Sequence, residues 1–412
     1  GYSHQHVEAD FSEGYWTDHW IYLLDLVEIY LSVYPDRKAD LLFGTANIPF
    51  YDSVYVVKPR SRKYVRVGGK VRQYEAVERD AQKSALIESR VEMPHWFRSS
   101  NGRGEICQAT VFEKLAGLAL LKFATLDPMG MGIEMEAGKP SWCDAMNGLP
   151  GLFGSSMPET LELQRLLAFL IEALHEYRDA KIFLFTEVAD LFRQVRSVLK
   201  EWEADVSEGR DINYWDAVAT LREKYREKVR LGFANDVETP IWVDELLEIL
   251  QAFQVRLALG VARAVELNHG NLPTYLAFTV TSYEDVFGSD GKPRVDEQGR
   301  PFVRALRFEP HPLPLFLEGF VHSLKVQPDL ATALRLHETV RASGLYDREL
   351  KMYRNNVSLA GESHEIGRIR AFPPGWLENE AVFLHMEYKY LLELLKAGLV
   401  KEFFADAQTA LV

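Results

Sequence analysis

Apolar residues recur at three- and four-residue spacing over most of this chain, and that spacing predicts helices. Residues 158–178 give the clearest pattern. Leu163, Leu166 and Leu170 fall on one face there, and Ser156 begins a capping box with a proline in the first turn. The predicted helices cover residues 18–34, 105–126, 158–178, 186–205, 213–230, 241–267, 312–324, 328–342 and 376–397.

Strand patterns are fewer, and they predict two hairpins. The first stands before Gly68 and Gly69, inside an inserted region of about 44–104. The second surrounds a turn at Asp290 and Gly291. The predicted strand pairs are 51–58 with 63–67, and 274–282 with 294–307.

Two of the helical segments, 114–124 and 256–267, are apolar on nearly all sides. Such helices need protein on more than one face, so inner and outer helices are expected. An all-α fold follows as the prediction, in which helical hairpins close into a ring and a small β-containing region is inserted between two of its elements. Long loops at one end of the ring would form a cleft.

Composition and charge restrict the classes of partner. The chain has 412 residues, of which 47% are apolar and 26% charged, so it can bury a large core. Its net charge of −13 argues against a nucleic-acid or anionic-membrane partner. The cysteines Cys107 and Cys143 give neither a disulfide framework nor a zinc pattern, which indicates a reducing compartment. No apolar run approaches the roughly 20 residues that a membrane-spanning helix needs. The first residues also lack the basic and apolar pattern of a signal peptide, so a soluble, cytoplasmic protein is predicted.

Candidate chemistry is concentrated in the Gly- and Pro-rich segment 138–154, between two apolar helical segments. Trp142, Asp144 and Asn147 stand there together. A constrained loop that carries a carboxylate beside an indole could hold a sugar ring and protonate it. The alternative is an ordinary helix connection with a capping aspartate.

A second aromatic and polar group stands at residues 14–20, where the first helix is predicted to begin. Trp16 could offer an apolar face to a sugar, and Asp18 could accept hydrogen bonds from its hydroxyl groups. The alternative is that Asp18 and Thr17 cap the helix.

A third group lies in residues 375–390. Glu378 is predicted near the start of a helix whose next turns carry His385 and Lys389, four positions apart and therefore on one face. The alternative for His385 is a packed, hydrogen-bonded histidine without a ligand.

These three groups resemble the motifs of one enzyme family. Trp142-Cys-Asp144 is similar to the Trp-x-Asp loop that carries the general acid of cellobiose phosphorylase and related inverting β-glucoside phosphorylases. Glu378-Asn-Glu-Ala-Val-Phe-Leu-His385 resembles the family's Glu-Asn-Gly-Gly-Ile-Phe-x-His, and Gly14-Tyr-Trp-Thr-Asp18 resembles its Gly-Phe-Asn-Asp-Asp. The motifs occur in the family's order. The long insertion favours the larger relatives that act on β-glucan chains, including the β-1,3-oligoglucan phosphorylases.

The resemblance implies an (α/α)6 barrel, with residues 1–412 as its major part. It implies cleavage of a β-glucosidic bond by inorganic phosphate as co-substrate, with inversion and release of α-glucose 1-phosphate. It implies no further cofactor. No metal site is predicted either, because the His and carboxylate residues do not stand at a recognised ligand spacing. By position, Asp144 corresponds to the proton donor and His385 to a phosphate ligand. The implied sugar contacts are Trp16, Asp18, Trp142, Asn147 and Glu378.

Several departures from the family keep alternatives open. Glu380 and Ala381 replace the glycine pair, which could place an extra carboxylate near the anion site and permit an inverting hydrolase or a glucan-processing transferase. A non-catalytic carbohydrate-binding module is a further alternative. The family's N-terminal β-sandwich and its C-terminal phosphate loop are not found, so a fragment is expected. The linkage stays open, as does the oligomeric state, for which a homodimer is one option.

Overall fold

The structure, a computed structural model, describes residues 19–326 and 328–410 and is about 49% helical and 18% strand. A helix overlaps each of the nine predicted ranges, and further short helices accompany them. The helices are α1 (Ile21–Val33), α2 (Lys38–Phe43), α3 (Ala81–Glu88), α4 (Ser99–Gly102), α5 (Val111–Phe123), α6 (Met157–Glu176), α7 (Thr186–Ala204), α8 (Arg210–Lys228), α9 (Val243–Leu267), α10 (Leu317–Lys325), α11 (Leu330–Ala342), α12 (Leu384–Lys396) and α13 (Val400–Ala410).

The strands all pair in antiparallel fashion within the described residues. One four-stranded sheet has the order β12-β11-β8-β7, and five two-stranded pairs join β1 to β6, β2 to β5, β3 to β4, β9 to β10 and β13 to β14. The strands are β1 (Ile48–Pro49), β2 (Tyr55–Val57), β3 (Tyr64–Val67), β4 (Lys70–Gln73), β5 (Val77–Arg79), β6 (Gln108–Ala109), β7 (Ile133–Glu134), β8 (Ser155–Ser156), β9 (Ile182–Phe185), β10 (Glu238–Ile241), β11 (Tyr275–Asp285), β12 (Val303–Pro312), β13 (Tyr346–Asp347) and β14 (Met352–Tyr353).

The predicted all-α class, and with it the (α/α)6 barrel, is therefore wrong, because the fold mixes helices with several antiparallel sheets. Most of the strands that the prediction missed are two to four residues long. Such a strand is too short to show a two-residue alternation of apolar and polar positions. The four-stranded sheet also includes β7 and β8, which border the Gly- and Pro-rich segment and read as loop in sequence.

One of the two predicted hairpins is confirmed, and the strand pairing predicted for the other is wrong. β11 and β12 form the expected pair, with Leu276 opposite Pro312 at its open end. In the inserted region the strands exist, but each pairs with a later strand instead of with the other. Gly68 and Gly69 both have positive φ, at 56° and 78°, so they make the tight turn between β3 and β4. That turn fixes the partner of β3.

Helix α6 lies at the centre of the largest hydrophobic core. It packs against α5, α9 and α10, and its predicted leucine stripe is almost fully buried. The Ser156 side chain accepts a hydrogen bond from the Glu159 backbone N–H, which confirms the predicted helix start. A second core joins α10, α11, α12 and the strand β14. α12 thus carries one face of a core while its first turn reaches a surface cleft.

Two further findings concern the predicted compartment. Among residues 19–326 and 328–410, no helix is both long and apolar enough to cross a lipid bilayer. Cys107 and Cys143 are buried free thiols.

A buried carboxylate on α12 makes the stability of the fold depend on pH. Glu387 is 1% exposed, and its Oε1 accepts a hydrogen bond from the Tyr353 N–H at 3.1 Å. Burial raises the pKa of Glu387 from 4.5 to about 7, and the charge of Asp406 adds to the rise. Between these two pH values the folded protein holds a proton that the unfolded chain has lost. Its free energy of unfolding therefore falls as the pH rises.

Glu387→Gln should abolish the part of the pH dependence of the free energy of unfolding that Glu387 causes, which is at most about 3 kcal/mol. We expect wild type to lose stability relative to Glu387→Gln between pH 4.5 and 7, measured by urea unfolding at several pH values. The exposed glutamate Glu338 on α11 supplies the control, since Glu338→Gln should keep the wild-type pH dependence. Parallel curves for Glu387→Gln and wild type would contradict the assignment.

Candidate functional site

A cleft of about 300 Å³ joins segments that are far apart in the sequence. It receives the start of α1, the Gly- and Pro-rich segment 138–154 (the Trp142 loop), the loop before α12 and the first turn of α12. Its lining residues are His19, Tyr22, Trp142, Cys143, Asp144, Glu378, Phe383 and His385. Four of the predicted site residues, Trp142, Asp144, Glu378 and His385, therefore lie in one cleft.

The predicted contacts Trp16 and Asp18 lie outside the described residues. The start of α1 nevertheless reaches the cleft through His19 and Tyr22, whose rings are 5.9 Å apart. Trp20 anchors this end of the helix by donating from Nε1 to Glu159 Oε2 at 2.8 Å. The described part of the N-terminal segment is thus fixed against α6 at the cleft.

Trp142 forms an aromatic wall of the cleft. Its ring is half-buried and meets Phe383 edge to face, with centroids 5.5 Å apart and planes at 80°. The His385 ring lies 5.9 Å from it at 50°. Trp142 also packs against two hydrophobic clusters, one around α12 and one beneath its own loop. This packing holds the indole at a fixed angle to the open space.

Asp144 begins a 3-10 turn, Asp144–Met146, and faces the cleft. Its side chain is 40% exposed, and Oδ2 is 3.0 Å from Nη2 of Arg368. The neighbouring indole therefore does not shield this carboxyl group from solvent. The carboxyl group forms an exposed arginine salt bridge instead, contributed by a segment that sequence reasoning did not single out.

Asn147 does not line the cleft, and its side chain has a structural partner. Its Oδ1 accepts a hydrogen bond from the Arg368 backbone N–H at 2.9 Å. Gly367 precedes this contact with φ of 133°, and a Cβ there would lie 2.6 Å from the Ala145 carbonyl oxygen. Asn147 and Gly367 therefore dock the Arg368 segment closely onto the Trp142 loop.

Glu378 lies on a loop, whereas the sequence predicted a helix from residue 376. The helix α12 begins only at Leu384, and Leu377 and Glu380 have positive φ of 49° and 53°. The buried Asn355 donates from Nδ2 to the Glu378 carbonyl oxygen at 3.1 Å. The amide groups of Asn356 and Asn379 add further bonds to the loop: Asn356 Oδ1 accepts from Glu380 N–H at 3.0 Å, and Asn379 Nδ2 donates to Phe372 O at 2.8 Å.

Glu380 faces away from the cleft. It lines a separate depression with Arg354, and its Oε2 is 3.8 Å from Arg354 Nη1. The extra carboxylate that the sequence suggested near the anion site is therefore directed elsewhere. In a hydrolase either Glu378 or Glu380 could activate water, and of these two residues only Glu378 lines the cleft.

The first turn of α12 supplies nitrogen donors. His385 lines the cleft, and Lys389, one turn further, donates from Nζ to the Tyr22 hydroxyl at 3.2 Å. Partial burial and the charge of Lys389 lower the pKa of His385, which favours the neutral imidazole. A neutral imidazole, an ammonium group and a helix N-terminus together suit an anion.

Sequence reasoning missed Tyr22, Phe383 and Arg368. Tyr22 and Phe383 lie next to or inside the quoted motifs, so a search for aromatic neighbours could have found them. Arg368 stands in a short 3-10 turn, Arg368–Ala371, with no periodic pattern, and its place at Asp144 depends on the docking of two loops.

The comparisons with known proteins add no relative to this picture. No protein-family profile matches the chain, and no curated protein sequence matches it significantly. The likeness to inverting β-glucoside phosphorylases stays a prediction, carried by the motif residues that meet in this cleft.

Proposed function

We propose that the cleft binds a β-linked gluco-oligosaccharide and cleaves a glucosidic bond with inorganic phosphate, inverting the anomeric carbon to give α-glucose 1-phosphate. The observation that carries this proposal is the meeting in one cleft of Asp144 with Glu378 and His385, which come from two motifs far apart in the sequence. Such a reaction needs a general acid, a group that accepts hydrogen bonds from the sugar hydroxyls, and a group that donates hydrogen bonds to the phosphate anion.

The sugar would lie against the aromatic side of the cleft. Trp142 and Phe383 offer apolar faces held by packing, and Glu378 offers oxygens that accept hydrogen bonds from sugar hydroxyl groups. Sites for small polar ligands combine an apolar wall with a few placed polar groups in this way.

Asp144 would act as the general acid. It donates a proton to the glycosidic oxygen as the bond from that oxygen to C1 breaks, while a phosphate oxygen forms a bond to C1 from the opposite face. The hydrogen phosphate loses its own proton on becoming the ester, and that proton restores Asp144. Arg368 must leave the carboxylate before this step, and its guanidinium then becomes available to the phosphate.

Phosphate would bind at the start of α12. His385 and Lys389 can donate hydrogen bonds to its oxygens, and the positive end of the helix dipole adds to the attraction. Because phosphate is already anionic and nucleophilic, no carboxylate base is needed on that side.

An inverting hydrolase is the second candidate, because Glu378 lines the same cleft as Asp144. In that reaction Glu378 would activate water across the sugar, at a carboxyl separation of about 6.5 to 9.5 Å. Glu378→Gln separates the two candidates: a hydrolase loses its base, whereas a phosphorylase loses one hydrogen-bond acceptor.

The deciding experiment is a product assay with laminari-, cello- and sophoro-oligosaccharides, each with and without phosphate. We expect sugar 1-phosphate to form only when phosphate is present. Equal cleavage in its absence would exclude the phosphorylase and favour the hydrolase.

The cytoplasm remains the proposed compartment, since the buried thiols of Cys107 and Cys143 fit a reducing environment.

Trp376 extends the proposal to longer substrates. Trp376 is 55% exposed on the loop that carries Glu378, and the Phe372 ring meets its ring edge to face with centroids 5.3 Å apart. An indole fixed in solvent two residues from the cleft can stack on a further sugar ring. We expect Trp376→Ala to raise KM about 10-fold for long oligosaccharides but to leave KM for a disaccharide unchanged. Trp242, which is 79% exposed and lies between β10 and α9, gives the control variant Trp242→Ala.

A further inference from the structure

The β3–β4 hairpin of the inserted region lies against the Trp142 loop. Gln73 is 6% exposed and donates from Nε2 to two carbonyl oxygens, that of Met135 at 3.2 Å and that of Pro150 at 3.0 Å. These residues stand on opposite sides of Trp142 and Asp144 in the sequence. One amide group thus uses both of its donors to join the chain just before the Trp142 loop to the second half of that loop.

Arg72, the preceding residue on β4, contacts the segment that carries Arg368. It is 7% exposed and forms a two-bond pair with Glu365, from Nε to Oε1 at 2.9 Å and from Nη2 to Oε2 at 2.7 Å. Glu365 stands three residues before Arg368. Fixing Glu365 therefore limits where the Arg368 guanidinium can reach.

The Trp142 loop and the segment that carries Glu365 and Arg368 also contact each other. The Gly148 N–H donates to the Ile366 carbonyl oxygen at 3.2 Å, and a Cβ at Gly148 would lie 2.1 Å from the Glu365 carbonyl oxygen. Successive side chains of a strand point to opposite sides, so β4 can hold one segment through Arg72 and the other through Gln73.

The hairpin is itself firmly seated. Tyr64 on β3 is 3% exposed, and its ring meets Phe153 of the Trp142 loop edge to face at 4.9 Å. Lys63, just before β3, is 2% exposed and donates from Nζ to the Glu136 carbonyl oxygen at 3.1 Å. β3 and β4 thus act as a rigid support with buried contacts on both segments.

We propose that this hairpin positions the candidate acid, and that Gln73 and Arg72 are positioning residues that set the distance between Asp144 and Arg368. The effect of the hairpin on turnover rests on the proposed function, whereas its role in holding the two segments in place does not. Neither residue lines the cleft, so each acts through the backbone of the segments that it holds.

The test combines hydrogen exchange with kinetics on the full chain. Gln73→Met removes both donors at similar length. Glu365→Gln removes the charge of the other partner of Arg72. The Glu365 side chain is 42% exposed, so this substitution should not prevent folding. Arg62→Gln is the matched control, because Arg62 forms an exposed pair with Glu78 next to the same hairpin.

We expect amide exchange in residues 138–154 to accelerate about 10-fold in Gln73→Met and exchange in 363–371 to accelerate in Glu365→Gln. The turnover number kcat should fall about 10- to 100-fold while KM changes little, since the cleft walls stay in place. Arg62→Gln should match wild type in both measurements.

Exchange in both variants equal to that of Arg62→Gln would overturn the inference, whatever the kinetics. If wild type is active and the two variants show faster exchange but an unchanged kcat, the proposed effect of the hairpin on turnover would be overturned. A wild-type chain that cleaves no oligosaccharide would end the proposed function, and the exchange measurement would still decide whether the hairpin holds the loop.

Discussion

Asp144→Asn is expected to lower the turnover of a β-linked gluco-oligosaccharide by about 10²- to 10⁴-fold, the usual contribution of a general acid. The amide keeps the size of the side chain but cannot supply a proton to the leaving oxygen. Binding of the oligosaccharide should persist, because Trp142, Phe383 and Glu378 are unchanged. Steady-state kinetics with phosphate present, together with calorimetric titration of the oligosaccharide, would measure the two effects.

A substrate with an acidic leaving group provides the internal control for this prediction. An aryl β-glucoside needs little protonation as it departs, so Asp144→Asn should cleave it nearly as fast as wild type does. The exposed Asp179, just after α6, gives the matched variant Asp179→Asn, which should behave as wild type with both substrates. If Asp144→Asn retained full turnover on the oligosaccharide, Asp144 would not be the acid. A wild-type chain that binds the oligosaccharide without any turnover would instead indicate a non-catalytic carbohydrate-binding module.

Lys389→Gln is expected to raise the KM for phosphate about 10- to 100-fold, with a smaller effect on the KM for the oligosaccharide. A hydrogen bond to a charged group contributes about 1.5 to 3 kcal/mol, which corresponds to this range. Lys389 already donates to Tyr22 beside the cleft, so its ammonium group is held near the proposed phosphate. Initial rates at varied phosphate and saturating oligosaccharide would give the change.

The same helix supplies the control. Lys396 lies two turns further along α12, about 10 Å from Lys389 along the axis, and pairs with Glu393 at 2.9 Å. Lys396→Gln removes the same charge from the chain but not from the cleft. Equal effects of the two substitutions on the phosphate KM would show that net charge, and not a local site, governs phosphate binding.

The sequence was a sound guide to the long helices. Segments such as 158–178 and 241–267 have enough turns for a three- and four-residue apolar spacing to be unmistakable, and the Ser156 cap marked a start. It was a poor guide to the fold class. Strands such as β7 and β8 are two residues long and are recognisable only by the partners that they meet in the sheet.

The candidate site shows the same division. Short motifs, taken together, predicted Trp142, Asp144, Glu378 and His385 as site residues, whereas each motif alone also fits an ordinary turn, a helix cap or a packed histidine. The sequence misjudged Glu378 and Glu380 as the start of a helix. Buried amides of Asn355 and Asn356, more than 20 residues away, hold that loop instead and direct Glu380 towards Arg354.

By itself, the sequence determined the long helices and the residues with candidate chemistry, since both depend on neighbours a few positions apart. The tertiary structure alone decided that these residues share one cleft, that Arg368 pairs with Asp144, and that Gln73 and Arg72 hold the segments carrying them. Those contacts join positions separated by dozens to hundreds of residues. No local spacing can encode them, because they arise only when the separate cores pack and bring the loops together.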